Sequence, residues 1–210
     1  MNWDWIAGNL STIVDATIDH LVLTLIAVGV GFAISFLFAL LIYRDRRLYG
    51  PLSGFAGVVY TIPSLALLAF LVPFTGLSLL TAEIALVGYT LLILTRSIVG
   101  GLDAVTPDVA EAADGMGFGW RSRLVRIDLP LAMPLIVAGL RVATVTTVGL
   151  VMVTAVIGEG GLGQLMLRGF NFRNTTAVYV GAIVTVALAI VLDLAILAFG
   201  RVTTPWTRKT

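Results

Sequence analysis

The chain has 210 residues, of which 59% are apolar and only 12% are charged, whereas soluble domains carry roughly 25% charged residues. Thirteen bases and twelve acids leave a formal net charge of +1, which gives no reason to expect nucleic acid as a partner. The absence of cysteine excludes disulfides and thiolate metal sites, and the single histidine, His20, argues against a histidine metal site. Lys209 is the only lysine, which excludes a phosphate-binding loop of the GxxxxGK(S/T) type. The composition predicts a membrane protein with no metal and no cofactor of its own.

The first 20 residues lack the basic start of a signal peptide and carry acidic residues instead. Several residues recur here at helical spacing: Ile6, Leu10, Ile13, Val14 and Thr17. This spacing predicts that 1–20 form an external amphipathic segment that lies on the membrane lipid. His20, at the end of this segment, is interpreted as a side chain at the membrane interface.

Five segments are apolar and long enough to cross a hydrocarbon core of roughly 30 Å as helices. They cover about 21–43, 55–74, 77–97, 131–157 and 177–200. The second and third are separated by Pro73-Phe74-Thr75-Gly76, a sequence typical of a turn. Lipid offers the backbone no hydrogen-bond partner, so each span must be helical. The sequence predicts an all-α integral membrane fold with a single transmembrane domain over 21–200.

A stripe of small residues runs along the first span. Ala27, Gly31 and Ser35 recur at i, i+4 and i+8, which places them on one face of a helix. Small side chains on one face let a second helix approach closely. We expect ordinary helix packing there, with contact to a second subunit as the alternative.

The distribution of basic residues predicts the orientation of the spans, because cytoplasmic loops are enriched in Lys and Arg. Five spans place the two termini on opposite sides of the membrane. With the N-terminus outside, the inner segments hold ten basic residues: Arg44, Arg46, Arg47, Arg96, Arg121, Arg123, Arg126, Arg201, Arg208 and Lys209. The outer segments then hold only Arg168 and Arg173. We expect the N-terminus outside and a cytoplasmic tail over 201–210.

The cytoplasmic loop between spans three and four, about 98–130, is the longest polar segment of the chain. Thr106 and Pro107 suit the N-cap and the first position of a helix. Positions at i, i+3, i+4 and i+7 define one apolar face of that helix: Val109, Ala112, Ala113 and Met116. Gly115 and Gly117 end it. A short helix with a shallow, alanine-rich face exposed to the cytoplasm suits docking into a protein groove.

The same loop carries a spaced signature. Glu111-Ala112-Ala113, Gly117, Ile127 and Leu129-Pro130 match EAA-x3-G-x9-I-x-LP at every specified position. The pattern resembles the EAA signature of membrane subunits of binding-protein-dependent ABC importers. The resemblance extends over about 55–200 through further matching residues: Thr61-Ile62-Pro63-Ser64, Arg96, Ala138-Gly139, Arg141, Ile157-Gly158 and Gly160-Gly161-Leu162-Gly163. The chain is similar to the five-helix methionine-importer type of permease, and most similar to its osmoprotectant branch, which imports glycine betaine, choline and carnitine.

The resemblance implies a permease subunit that is not itself an enzyme. In this family two permease subunits, identical or related, pair with a dimer of cytoplasmic ATPase subunits, which bind ATP and Mg, and with an extracytoplasmic solute-binding protein. Alternating access across the bacterial plasma membrane moves the solute inward. Carried onto this chain, Glu111 would contact the rim of an ATPase groove, and Ala112-Ala113 would allow close approach. Gly117 would turn the chain, and Ile127 with Leu129-Pro130 would lead into the fourth span.

A glycine-rich pattern follows the fourth span. Gly158-x-Gly160-x-x-Gly163 fits the dinucleotide fingerprint G-x-G-x-x-G, but it follows a membrane helix and not a strand, so we reject that interpretation. A tight external turn is the better interpretation. The resemblance makes Glu159, Gly160 and Gly161 candidate contacts with the binding protein. We expect Glu83 and Glu159 to face the outer water.

Arg141 and Asp193 are ionisable residues inside predicted spans, where charges are costly and often functional. Arg141 lies eleven residues past Pro130, about 16 Å at helical rise. Asp193 lies seven residues before Gly200, about 10 Å from the inner end. These similar depths permit an ion pair between spans four and five, which we favour over the alternative of a substrate site.

Two alternatives to an osmoprotectant importer stay open. One is an importer of the same kind for methionine or another amino acid. The other is an ion-coupled secondary transporter, which usually needs carboxylates or broken helices at the membrane midplane, often in repeated halves. Arg141 is the only charge clearly at mid-depth and the sequence shows no internal repeat, which argues against the secondary transporter.

Overall fold

The computed structural model describes residues 1–206, and over that range the chain contains helices and no strand. The helices are α1 Trp3–Gly8, α2 Leu10–Arg44, α3 Tyr49–Thr61, α4 Ser64–Thr75, α5 Leu79–Asp103, α6 Pro107–Gly115, α7 Trp120–Arg123, α8 Leu129–Thr154, α9 Leu162–Asn171 and α10 Thr175–Thr203. Short 3-10 turns cover Arg46–Leu48 and Ala155–Ile157, and a π turn covers Leu124–Asp128. The predicted all-helical fold is confirmed for the described residues. The predicted tail over 201–210 is described only to Trp206.

Four helical segments are long and apolar enough to cross a membrane: Leu10–Arg44, Leu79–Asp103, Trp120–Ile157 and Thr175–Thr203. Between the first and second of these, α3 and α4 meet at an angle of 98°. Together these two helices provide the residues for one further, broken span. The described part of the chain therefore holds four or five candidate spans.

The helix breaks inside the predicted second span over 55–74, between Thr61 and Ser64. Ile62 has an extended backbone (φ −68°, ψ 128°), as expected for a residue whose α conformation is hindered by the following Pro63. The freed carbonyl of Ile62 accepts a hydrogen bond of 2.5 Å from the hydroxyl of Tyr89 on α5. Helix α4 then ends at Thr75, within the sequence that predicted a turn.

The N-terminal segment also differs from its prediction. Only α1 forms a separate short helix, whereas the rest of the segment continues without interruption into the first span. Helix α2 has 35 residues, about 52 Å at helical rise. Its sequence has no glycine or proline between Leu10 and Val28, so nothing ends the helix where the apolar stretch begins.

The fourth helical segment begins earlier than predicted. Its helical segment starts at Trp120 and not at 131, so that Pro130 lies inside it. The π turn Leu124–Asp128 ends two residues before this proline and widens the backbone ladder, where the ring of a proline would otherwise clash with the preceding turn. Helix α5 extends to Asp103, so the connection between the two long helices is shorter than 98–130.

Helix α5 lies at the centre of the bundle. In its most apolar stretch 61% of the residues are buried, against 6% in α10. The small-residue stripe of α2 faces it: a Cβ placed on Gly31 would lie 1.8 Å from Oγ1 of Thr90, so only glycine permits this approach. Ala27, Gly31 and Ser35 are all buried, as ordinary packing requires. Helix α10 packs on α8 and α9 and leaves most of its surface uncovered.

Candidate functional site

The connection between α5 and the fourth helical segment contains α6, a helix of 9 residues. Thr106 is extended (ψ 148°) and Pro107 occupies the first position, as the sequence predicted. The negative charge of Asp108 lies in the first turn, where the helix dipole favours it. Gly117 has a φ of +81°, and the backbone N–H of Phe118 donates to the carbonyl of Ala113 at 3.1 Å. These contacts fold the chain back toward α7.

The faces of α6 differ from their prediction at one residue. Glu111, Ala112 and Gly117 are exposed, whereas Ala113 is buried with 1% of its surface exposed. The prediction that both alanines lie on an exposed face is therefore wrong for Ala113. Met116, 68% exposed, lies on the outward surface with Ala112. One alanine of the signature is free to contact another protein, and the other packs against this chain.

A polar network ties α6 to two long helices. Nη1 of Arg123 donates to both carboxylate oxygens of Asp114, at 3.0 and 3.1 Å. Nε of the same arginine donates to Oδ2 of Asp128 at 3.3 Å. The hydroxyl of Tyr43 on α2 donates to that oxygen at 2.5 Å. We call these four residues the Arg123 network: Tyr43, Asp114, Arg123 and Asp128.

The Arg123 network has a buried centre and an exposed end. The side chain of Asp128 is 3% exposed and that of Asp114 is 59% exposed, with Arg123 between them. A buried carboxylate that keeps its charge needs such partners. The network therefore fixes α6 relative to the start of α8 and the end of α2. Sequence reasoning missed it, although Asp128 occupies an unspecified position inside the signature.

The last signature residues lie where the fourth helical segment passes from the π turn into α8. Ile127 belongs to the π turn, and Leu129 and Pro130 begin α8. All three are half-buried. Leu129 packs against a buried cluster that includes Leu124 and Ala132. Their place in the structure is the base of a membrane helix, 14 residues or more from Ala113 along the chain.

Arg141 on α8 and Asp193 on α10 form a bidentate ion pair. Nε and Nη2 of the arginine donate to Oδ1 and Oδ2 of the aspartate, each at 2.7 Å. Paired N–H donors in this geometry make a strong, directional contact. The two side chains keep 34% and 27% of their surface exposed. The pair joins α8 to α10 at the edge of the bundle and is not enclosed in it.

The glycine-rich turn after the fourth helical segment contains three glycines with a positive φ. Gly158, Gly160 and Gly161 have φ values of +91°, +125° and +48°. A Cβ on Gly161 would lie 2.4 Å from the carbonyl oxygen of Ala16 on α2, so the turn packs directly on that helix. Gly160 is buried and Gly161 half-buried, so only the half-exposed Glu159 is clearly available to a partner.

His20 lies under this turn and is enclosed by the chain, whereas an interfacial side chain would be exposed, which corrects the interpretation from the sequence. It is fully buried, and its Nε2 lies 3.0 Å from the carbonyl oxygen of Val148 on α8. Helix α9 follows the turn and packs on α10 and α2. The sequence reasoning did not identify α9.

A cavity of about 440 Å³ opens beside the glycine-rich turn. Its polar lining consists of Thr12, Asp15, Asp19, Glu159, Gln164 and Arg168. We call it the acidic cavity. Three carboxylates against one guanidinium give it a negative potential, which attracts positively charged groups. Among the described residues, no group of three or more His, Asp or Glu is placed to hold a metal ion.

Glu83 does not face the outer water, which corrects its prediction. It is 9% exposed, and neither carboxylate oxygen has a hydrogen-bond partner. It lies in the first part of α5 beside a cavity between α2, α3, α4 and α5. Its position on the helix came from the sequence, but its enclosure depends on the neighbouring helices.

Comparison with known proteins gives matches along nearly the whole chain. Residues 15–209 match the family described as binding-protein-dependent transport system inner membrane component. The osmoprotectant import permease protein OsmW of Salmonella typhimurium is 35% identical over 194 residues, which cover 90% of either chain. The glycine betaine/carnitine/choline transport system permease protein OpuCB of Bacillus subtilis is 33% identical, over 89% of this chain and 86% of its own length.

A solved structure shows the same fold. In an inward-facing conformation of the MetNI methionine ABC transporter, one chain superposes with a TM-score of 0.85, covers 94% of this chain and 98% of its own length, and is 23% identical. At this identity the likeness shows the fold alone. The family match over residues 15–209 makes this chain a member of the binding-protein-dependent transport system inner membrane components.

Proposed function

We propose that the chain is the permease subunit of an ATP-driven importer that moves small osmoprotectants, such as glycine betaine, choline or carnitine, by alternating access. The observation that carries this proposal is the match of nearly the entire chain to permeases whose names state these solutes. The methionine alternative has weaker support, because the likeness to the methionine transporter lies below 25% identity.

The arrangement in the membrane follows from counting the bent α3–α4 pair as one span. That gives five spans, with the N-terminus outside and the tail over 201–210 in the cytoplasm. The arginine distribution supports this orientation, because α6, α7 and the turn after α2 then lie on the basic side. The acidic cavity and α9 lie on the outer side.

In this arrangement α6 is the contact with a separate ATPase dimer, which binds ATP and Mg. Glu111 and Ala112 are its exposed signature residues. The Arg123 network joins this helix to α2 and α8. Movement of α6 against the ATPase would therefore displace two membrane helices together. Three half-buried signature residues lie at the base of α8 and anchor it in the helical bundle: Ile127, Leu129 and Pro130.

Two further partners complete the importer. A second permease subunit, either another copy or a related chain, pairs with this one. The surface that α10 leaves uncovered is available to such a subunit or to lipid. An extracytoplasmic solute-binding protein docks on the outer side, where Glu159 and the acidic cavity would meet basic side chains. Gly160 and Gly161 shape this surface without contacting the partner.

The test is uptake of radiolabelled choline, glycine betaine and carnitine by cells that lack other osmoprotectant importers and express the whole system. We expect uptake that stops on ATP depletion and an ATPase that copurifies with the chain. Glu111→Lys should abolish both, and Asp4→Lys, an equal change at an exposed acid of α1, should abolish neither. Uptake that survives ATP depletion and collapses with the ion gradient would favour a secondary transporter instead.

A further inference from the structure

Glu83 is the buried carboxylate of α5 that no contact within the described chain explains. Its residue is 9% exposed, and both Oε1 and Oε2 lack a hydrogen-bond partner. An isolated charge in apolar surroundings is costly, so buried carboxylates normally have a cation or several donors beside them. The Arg123 network supplies such partners to Asp128, whereas the described residues supply none to Glu83.

The carboxylate lines a cavity of about 520 Å³ between α2, α3, α4 and α5. Apart from Gly88, which has no side chain, the other lining residues carry apolar side chains: Ile26, Val30, Ile34, Phe55, Val59, Leu67, Leu80, Ile84, Val87 and Leu91. Among the described residues of this lining, Phe55 is the only aromatic one. We call the space the Glu83 cavity. It combines one carboxyl group with hydrocarbon walls and an aromatic ring.

This combination selects the chemistry of an occupant. A metal ion or an ammonium group needs several oxygen ligands or acceptors, and the apolar walls offer none. A quaternary ammonium group has no N–H to satisfy, carries a positive charge and exposes only methyl groups. Apolar walls accommodate the methyls, the carboxylate balances the charge, and an aromatic face adds a cation–π contribution.

We propose that the Glu83 cavity binds the quaternary ammonium group of a transported solute during its passage through the permease. The inference rests on the proposed substrate class, since choline, carnitine and glycine betaine all carry a trimethylammonium group. The described residues of its lining include no basic side chain, so they offer no partner for the carboxylate of a zwitterion. It therefore favours choline, a plain cation, over glycine betaine.

The experiment measures binding of radiolabelled choline to the full-length chain in nanodiscs of phosphatidylglycerol and phosphatidylethanolamine. These lipids contain no trimethylammonium group, so a lipid headgroup cannot occupy the cavity. Removing the charge with Glu83→Gln should weaken binding at least about 10-fold, the cost of losing an ionic partner. Asp4→Asn, at an exposed acid of α1, is the matched control and should bind as the unaltered chain does. Adding phosphatidylcholine to the nanodiscs should leave choline binding unchanged if the free solute is the occupant.

A second measurement does not depend on a variant that folds. On the unaltered chain, tetramethylammonium should displace choline, and glycine betaine should do so at least about 10-fold less well, because its carboxylate would enter the cavity unpaired. Equal displacement by glycine betaine, or equal choline binding by Glu83→Gln, would overturn the inference. Displacement of choline by phosphatidylcholine would assign the cavity to lipid.

Failure of this inference and failure of the proposed function give different results. If cells import osmoprotectants with ATP but the chain in nanodiscs binds neither choline nor tetramethylammonium, the cavity is not a binding site and the function stands. If cells expressing the whole system import no osmoprotectant, the proposed function fails, whatever the cavity binds.

Discussion

The two alanines of α6 allow one substitution to be made in two environments. Ala112 is exposed, whereas its neighbour Ala113 is 1% exposed against its own chain. Alanine and leucine have nearly the same helix propensity, so replacing either by leucine leaves the helix itself almost unchanged. Any difference between the two variants therefore reports what each side chain contacts.

The expected magnitudes follow from burial. Forcing a larger side chain into a filled site typically costs about 1–3 kcal/mol, and for a chain of this size each kcal/mol lowers the unfolding temperature by about 2–4 °C. Ala113→Leu should therefore lower the unfolding temperature by about 2–12 °C. Ala112→Leu should change the stability of the isolated chain by no more than about 0.5 kcal/mol, since an exposed side chain has room.

Attachment of the ATPase should respond in the opposite order. If Ala112 lies against the ATPase groove, a leucine there meets the partner at close range, and a cost of about 1–3 kcal/mol corresponds to roughly 5- to 150-fold weaker association. Two assays separate the effects: thermal unfolding of the purified chain in detergent, and the amount of ATPase that copurifies from membranes with each variant.

One pattern of results would refute this reasoning. If Ala112→Leu retains the full amount of ATPase while importing solute normally, the exposed face of α6 is not the docking face. If Ala113→Leu unfolds at the temperature of the unaltered chain, a larger side chain at that position does not change the free energy of unfolding, and the assignment of the two faces is wrong.

Three further predictions concern contacts between helical segments of the chain. Arg141→Ala and Asp193→Ala should each reduce the amount of chain in the membrane, and the double variant should lose less than the sum, as measured by quantitative immunoblotting; simple additivity would show that the two residues do not depend on each other. Gly31→Ala should destabilise the chain by about 1–3 kcal/mol in thermal unfolding, whereas Gly29→Ala, where a Cβ meets nothing within 4 Å, should be neutral or stabilising; equal effects would argue against the close contact with α5. Tyr43→Phe should cost about 1.5–3 kcal/mol, the value of a hydrogen bond to a charged group, and an unchanged unfolding temperature would mean that the hydroxyl does not support the network.

Local patterns predicted the parts of the fold that depend on neighbours in the chain. The threonine, proline and glycines around α6 fix its two ends, so the sequence alone placed that helix to within a few residues. The small-residue stripe on α2 likewise predicted a buried face, because spacing at i and i+4 depends only on helical geometry. Similar depth in two helices was enough to suggest that Arg141 and Asp193 meet.

Features that depend on distant segments could not be predicted in this way. Tyr43 and Asp128 are separated by 85 positions, and only the packing of α2 against α8 brings them together. The enclosure of Glu83 requires walls from other helices. The break at Ile62 is different, because the following proline is a local signal in the sequence. The length of the apolar stretch nevertheless favoured a single uninterrupted span.

The hydrogen bond from Tyr89 to the carbonyl of Ile62 has a consequence for biogenesis. In hydrocarbon, no water is present to donate a hydrogen bond to a carbonyl that a broken helix leaves unpaired. Here Tyr89 on α5 supplies the donor. Helix α5 is synthesised after α3 and α4, because it follows them along the chain. The sharp corner between α3 and α4 can therefore reach its final shape in the membrane only after the next helix has been inserted beside it.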